Sequence, residues 1–259
     1  MTKLLQQIFT SRAFRRFRAN RVSFWAAIIF LSLFVFSLLA DVIANDKPLF
    51  VLYRGHAYIP IAQFLPETTF RGQLEGETDY SLPAIREEIA DNGFFIMPPI
   101  PYSYDTLATN LTAPAPTPPD RHHWLGTDAA AGDVLAKLIH GFRLSVLFGF
   151  ILTFISSIIG IVAGGLMGYF GGRIDILGQR LLEIWSSMPV LLLLIILSSF
   201  VVPNFWWLLG LLLLFGWMSL TSYVRAEVLK VRQQDYIKAA RVMGLSHSLI
   251  LIRHILPNA

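Results

Sequence analysis

Apolar residues in this chain gather into long runs, and the polar residues between the runs fall in blocks of consistent charge. The runs cover residues 22–40, rich in Phe, then 144–169, then 181–202 with Pro189 inside it, then 208–224. A bilayer core about 30 Å thick takes roughly 20 apolar residues in helical form, so each run is predicted to be a transmembrane helix. Residues 1–21 carry Lys3, Arg12, Arg15, Arg16, Arg18 and Arg21 and no acid. Arg173 and Arg180 lie in a short polar turn between the second and third runs, and Arg225, Lys230 and Arg232 follow the fourth. Basic residues beside spans favour the cytoplasmic side, which predicts a cytoplasmic N-terminus and four crossings. The first run exceeds the roughly 7–15 residues of a signal-peptide core, so it reads as an uncleaved span. Pro203-Asn204 makes the outer turn before span four, with Trp206-Trp207 at the interface.

Residues 45–137 have a different character. Acids outnumber Lys and Arg roughly two to one, and prolines accumulate up to Pro114-Ala-Pro116-Thr-Pro118-Pro119, which reads as a stiff connector. Residues 49–53 and 94–97 are short, apolar and strand-like. No part of the segment is long enough to span, which predicts a small mixed insertion outside the membrane. His122-His123 lack carboxylate or Cys partners at ligand spacing and read as surface residues; no metal site is expected. Thr127 or Asp128 can cap an amphipathic lead-in helix carrying Val134, Leu135, Leu138 and Ile139.

Composition agrees with a polytopic membrane protein: 54% of residues are hydrophobic and only 15% charged. The net charge of +4 sits beside apolar runs instead of forming a nucleic-acid stripe. There is no cysteine, hence no thiol nucleophile or disulfide. Gly171-Gly172 is not followed by Lys-Ser or Lys-Thr, so no phosphate loop is present, and no Ser–His–acid set sits at an elbow. No catalytic residue is expected. Ser156, Gly160, Gly164, Gly168 and Gly172 recur every four residues, a small-residue face for close helix packing in lipid. Glu183 is placed to pair with Arg180, and Pro189 to kink the third span.

The last stretch is charged and amphipathic. Asp235 can cap a helix with Ile237, Ala240, Arg241 and Gly244 at helical spacing; Gly244 suits the left-handed residue that ends it. Ser246 can cap the next turn, and Pro257 sits where a further helix would begin. Ala239-Ala240 would allow close approach to a partner groove. Irregular backbone of this kind cannot face lipid, so the element belongs in water.

Ala239-Ala240, Gly244 and then Ile255-Leu-Pro257 resemble the EAA loop of ABC-importer permeases, with Lys238 where that motif has its Glu. The resemblance implies a coupling helix docking on an ATPase through Lys238, Ala239, Ala240, Arg241, Val242, Met243, Gly244, Leu245 and Ser246, with Arg241 and Leu245 most exposed at the tip. The stretch His123-Trp-Leu-Gly-Thr-Asp128 with Gly132-Asp-Val-Leu resembles the segment leading into the core spans of peptide-importer permeases, where an amphipathic helix lies along the outer face. The whole chain most resembles the Yej-type permeases, which carry oligopeptides and microcin C. This resemblance implies an all-α polytopic membrane protein of the type I ABC-importer permease fold, incomplete, with a small mixed α/β or irregular periplasmic insertion. Its expected parts are a basic cytoplasmic N-terminus (1–21), span one (22–44), the insertion with its lead-in helix (45–142), spans two to four (143–224), and the cytoplasmic loop with the start of a fifth span (225–259). Two further spans follow in the family, so the chain reads as truncated or as a fragment. The implied setting is the bacterial inner membrane. Partners would be the lipid bilayer, a second homologous permease, two ATPase subunits or one fused tandem ATPase, and a periplasmic peptide-binding protein, with no nucleic acid. ATP and Mg would be held by the partners, and no cofactor by this chain. The competing expectation is a non-transport membrane anchor presenting residues 45–137 as an interaction or sensory module.

Overall fold

The structure, a computed structural model, describes residues 17–72, 75–108, 111, 113–202 and 204–259. Most of the basic leader and Pro203 of the expected outer turn lie outside the described residues. The chain divides into two compact units, residues 1–146 and 147–259.

In the first unit, α1 (Arg21–Leu38) starts where the Asn20 side chain accepts the Ser23 N–H at 3.3 Å. Apolar side chains cover α1 on every side and nearly all are exposed, as lipid-facing positions are. A short α2 (Ala40–Ile43) follows. The chain then pairs with itself, Asn45 N–H donating to the Ile100 carbonyl at 3.1 Å and Ile100 N–H to that of Ile43 at 3.0 Å. These bonds tie both ends of residues 45–100, the first part of the insertion, to the end of α1–α2.

Between them lie β1 (Phe50–Tyr53), β2 (His56–Tyr58), α3 (Pro83–Asn92) and β3 (Gly93–Ile96). The strands form an antiparallel sheet in the order β2-β1-β3. The two-residue β1–β2 turn is Arg54-Gly55, both at positive φ (50° and 81°), the geometry whose twist matches paired strands. Pro83 opens α3, where its missing N–H costs no hydrogen bond. Ile85 and Ile89, one turn apart, then pack on Val51, Tyr53, Phe70 and Tyr80. The two expected strands are present within a residue of their expected ends. β2 and α3 were not expected: three and ten residues are too short for period to separate them from loop.

Three local expectations are corrected here. His123 is not a surface residue but is buried, its Nδ1 2.9 Å from the Asp133 carboxylate and its ring centroid 4.5 Å from that of Tyr102. The cap of the next helix is neither Thr127 nor Asp128 but Asp133, which accepts the Ala136 N–H at 2.8 Å. Asp128 instead closes its own turn, accepting the Gly132 N–H at 2.9 Å, and pairs with Lys137 at 2.5 Å; that ammonium holds its carboxyl below the usual range. The proline-rich stretch is no free connector, since Thr117 carbonyl accepts the Thr127 N–H at 3.1 Å.

The lead-in helix and the second apolar run are one helix, α4 (Val134–Phe170). Its 37 residues extend about 55 Å, well beyond a bilayer core. No break falls near residue 142, because no Pro or left-handed Gly interrupts the backbone there, and Arg143 is paired with Asp41 at 2.6 Å. His140 donates from Nε2 to the Ala44 carbonyl at 2.8 Å.

The second unit continues with α5 (Gly172–Ser186), α6 (Val190–Phe200), α7 (Phe205–Gly216) and α8 (Met218–Val231). The expected polar turn over residues 172–180 is helical instead: Gly171 and Gly172, at φ 66° and 53°, reverse the chain and α5 begins at once. Pro189 does more than kink. α5 and α6 meet at 68°, with the Ser186 and Ser187 hydroxyls donating to carbonyls of the last α5 turn. Arg180 and Glu183 pair at 2.5 Å, as their spacing implies. Asn204 caps α7 through the Trp207 N–H at 2.9 Å. Among the described residues α1, α4 and the α7–α8 pair are long and apolar enough to cross a membrane, and α5 with α6 would make a fourth span. The protein is thus a helical membrane protein with a small sheet region.

Candidate functional site

The stretch from Asp235 onward folds into a helix–Gly–helix element seated in the second unit. α9 (Asp235–Val242) opens after extended Gln234, so Asp235 is its first helical residue and not its cap. The Asp235 carboxylate pairs with Lys238 at 2.9 Å, and acid at the start with Arg241 at the end suits the helix dipole. Gly244 takes φ 77°, the left-handed value that ends the helix. Ser246 then caps α10 (His247–Leu249), accepting the Leu249 N–H at 3.4 Å. The helix widens over Ile250–Ile255 into a π-helical turn, where Leu256 N–H reaches the Leu251 carbonyl at 2.9 Å. Pro257 therefore follows this helix.

One face of the element is sealed. Ile237, Ala240, Ile250, Leu251 and Ile255 are buried with Tyr169 of α4 and with Val228 and Val231 of α8, and Leu245 packs against them. Ala240 is consequently spent inside the chain and offers no close approach to a partner, whereas Ala239 is exposed. Leu245 is only half-exposed and packs against the cluster, whereas Arg241 is exposed, with its guanidinium 5.1 Å from the Tyr169 ring centroid. The tip is Val242 and Met243, 89% and 72% exposed. Helical geometry could have found it: Val242 lies about 200° around the helix from buried Ala240. Lys238 and Ser246 are also exposed.

The small-residue face of α4 meets α8. A Cβ on Gly164 would sit 2.5 Å from the Thr221 carbonyl oxygen, one on Gly168 2.8 Å from that of Arg225, and one on Gly160 3.1 Å from that of Trp217. Ser156 continues the contact against Gly216. Gly172 does not belong to this face, for α4 has already ended and nothing lies near its Cβ position. Arg232 donates to the Gly168 and Tyr169 carbonyls at 3.1 and 3.0 Å, satisfying the free acceptors at the end of α4. Asp175 of α5 accepts from Arg225 of α8 at both carboxylate oxygens, from Nε and, at 2.8 Å, from Nη2. No three His, Asp or Glu side chains converge among the described residues in a way that could hold a metal. What the arrangement offers is mechanical: an exposed apolar tip on a short helix, seated against two helices that touch backbone to backbone.

Residues 156–259 match the family described as binding-protein-dependent transport system inner membrane component. The chain is 50% identical over 244 residues to the inner membrane ABC transporter permease protein YejE of Escherichia coli, covering 94% of this chain and 72% of that protein. It is 44% identical over 274 residues to the peptidoglycan transport system permease protein YejE of Agrobacterium fabrum, covering 96% and 72%. The oligopeptide transport system permease protein OppC of Haemophilus influenzae is 34% identical over 158 residues, 61% of this chain and 50% of that one. The first two matches run through the insertion as well as the helices, which an unrelated anchor carrying its own module would not do. This chain belongs to the binding-protein-dependent inner membrane components, and is an inner-membrane permease of an ABC transport system.

Proposed function

We propose that this permease imports peptides, and that residues 238–246 dock on the ATPase that drives it. The observation that carries the docking is the bare Val242–Met243 tip on an element whose opposite face is fully buried. Apolar residues exposed in water at the end of a rigid helix fit a groove on a partner. With a cytoplasmic N-terminus and α5–α6 counted as one span, four crossings return residues 235–244 to the cytoplasm, where an ATPase works. The insertion then lies in the periplasm, on the side from which a binding protein delivers its cargo. Peptide cargo is supported by the relatives: one is named for oligopeptides and another for peptidoglycan, whose fragments carry peptide stems. Microcin C, a peptide conjugate, falls in the same chemical class.

In the assembly, this chain pairs with a second, similar permease and with two ATPase subunits or one fused tandem ATPase. ATP and Mg sit on the ATPases; binding of ATP draws the two docking elements together and rocks the spans from inward- to outward-facing. The test uses the absence of cysteine. A single Met243→Cys protein, co-expressed in membranes with the candidate ATPase, crosslinks to it, and ATP alters the yield. Labelling of the introduced thiol from the cytoplasm without any crosslink would overturn the docking; labelling only from the periplasm would overturn the topology.

A further inference from the structure

Tyr169, the penultimate residue of α4, holds three other parts of the second unit at once. It is 4% exposed. Its hydroxyl shares a 2.7 Å hydrogen bond with Nδ1 of His247, the first residue of α10. The Arg241 guanidinium, from the last turn of α9, stands 5.1 Å from its ring centroid. Its carbonyl accepts from Arg232, in the short link between α8 and α9, at 3.0 Å.

Arg241 and His247 lie on opposite sides of Gly244. At that joint nothing stands within 4 Å of where a Cβ would be, and the backbone is left-handed. Unsupported, such a joint lets a push on the α9 tip bend the element at Gly244 and leave the spans where they are. Tyr169 grips the element on both sides of the bend, one side through a cation over its ring and the other through its hydroxyl. It also ends the helix whose Gly160, Gly164 and Gly168 bring its backbone directly against α8. We propose that Tyr169 is a positioning residue for energy coupling: it makes the helix–Gly–helix element move as one body and delivers that movement into α4. This rests on the docking proposed above.

The experiment is a double-mutant cycle in the complete transporter, reconstituted in proteoliposomes with its ATPases, second permease and binding protein. Peptide taken up per ATP hydrolysed is measured for Tyr169→Phe, His247→Ala, the double variant and Tyr169→Leu. Each is also given Met243→Cys for crosslinking to the ATPase, and its melting temperature is followed. Tyr169→Phe and His247→Ala break the same hydrogen bond, so each is expected to lower uptake per ATP by a similar factor and the double variant no further. Tyr169→Leu, which also loses the ring under Arg241, falls further, by on the order of ten-fold. Crosslinking stays at the parental value, and melting falls modestly with the lost burial without following the loss of uptake per ATP. A parental ratio in Tyr169→Leu with the crosslink intact would show that Tyr169 only packs, and would leave the docking standing. No crosslink in the Met243→Cys parent would instead remove the docking, and this inference with it. Should Tyr169→Leu fail to fold, the cycle alone decides: multiplicative losses, with no shared term between Tyr169 and His247, overturn the proposal.

Discussion

Two short amphipathic helices, α3 of the insertion and α9 near the end of the chain, bury the same kind of face and finish differently. α3 sinks Ile85 and Ile89 into the sheet, and its Glu88 takes the Tyr53 hydroxyl at 2.7 Å. Of its remaining side chains beyond Pro83, only the small Ala84 and Ala90 are apolar. α9 sinks Ile237 and Ala240 into a comparable cluster, then exposes Val242 and Met243 on another side. Burial of one face explains why each helix forms, because short helices draw their stability from packing. Only the second leaves large apolar side chains exposed, and that is the surface on which the proposed docking rests.

The glycines extend the comparison. Gly164 serves space, Gly244 conformation, and the two break differently. The largest effect is expected for Gly164→Val: its Cβ would meet the Thr221 carbonyl at 2.5 Å, which no rotamer relieves. Because the clash is with backbone, the cost exceeds the roughly 1–3 kcal/mol of ordinary core overpacking, and size-exclusion profiles in detergent should show loss of the folded permease. Ile89→Ala comes next, with about 2–4 kcal/mol lost from the insertion core. Limited proteolysis should then cut within residues 45–133 while a cysteine at Met243 crosslinks as before; equal loss of both would show that the two regions do not fold independently.

A smaller cost, about 1–2 kcal/mol, is expected for Gly244→Val, where space is open and only the positive φ resists a β-branched residue. Its melting temperature should move little and its ATP-driven uptake much, with Gly244→Asn tolerated. Normal uptake by Gly244→Val would mean that the left-handed end of α9 is dispensable. The smallest effect is Lys238→Glu, which replaces an exposed pair with repulsion from Asp235 and costs about a few tenths of a kcal/mol. Thermal melting should not resolve it; a lost crosslink at Met243 with melting unchanged would place the Lys238 charge in the docking surface itself.

Much of this protein is legible residue by residue because the relevant physics is local. Crossing a bilayer demands apolar length, so the spans announce themselves in order. Positive φ favours glycine, so Gly244 could be placed at a helix end, and a hydroxyl before a helical turn reads as a cap, as at Ser246. Short apolar runs located β1 and β3 within a residue. A small-residue repeat states that something comes close without naming it. The structure names α8, and drops Gly172, since only the folded chain shows where α4 ends.

What period and propensity left open were choices between equivalent local options. Ala239 and Ala240 look alike in a sequence; the cradle of Tyr169, Val228 and Val231 decided which is buried, drew Leu245 in, and left Val242 and Met243 as the exposed apolar residues beside Arg241. Thr127 and Asp128 read as caps of the lead-in helix; that Asp133 caps α4 instead, with buried His123 against it, is a tertiary fact. By itself the sequence determined the long apolar helices, the left-handed joint and the family, because hydrophobic length, backbone sterics and inherited motif are all written residue by residue. Tertiary structure alone decided which side chains are used up within the chain and which remain for a partner, because burial depends on neighbours that are distant in sequence, as Tyr169 is from His247.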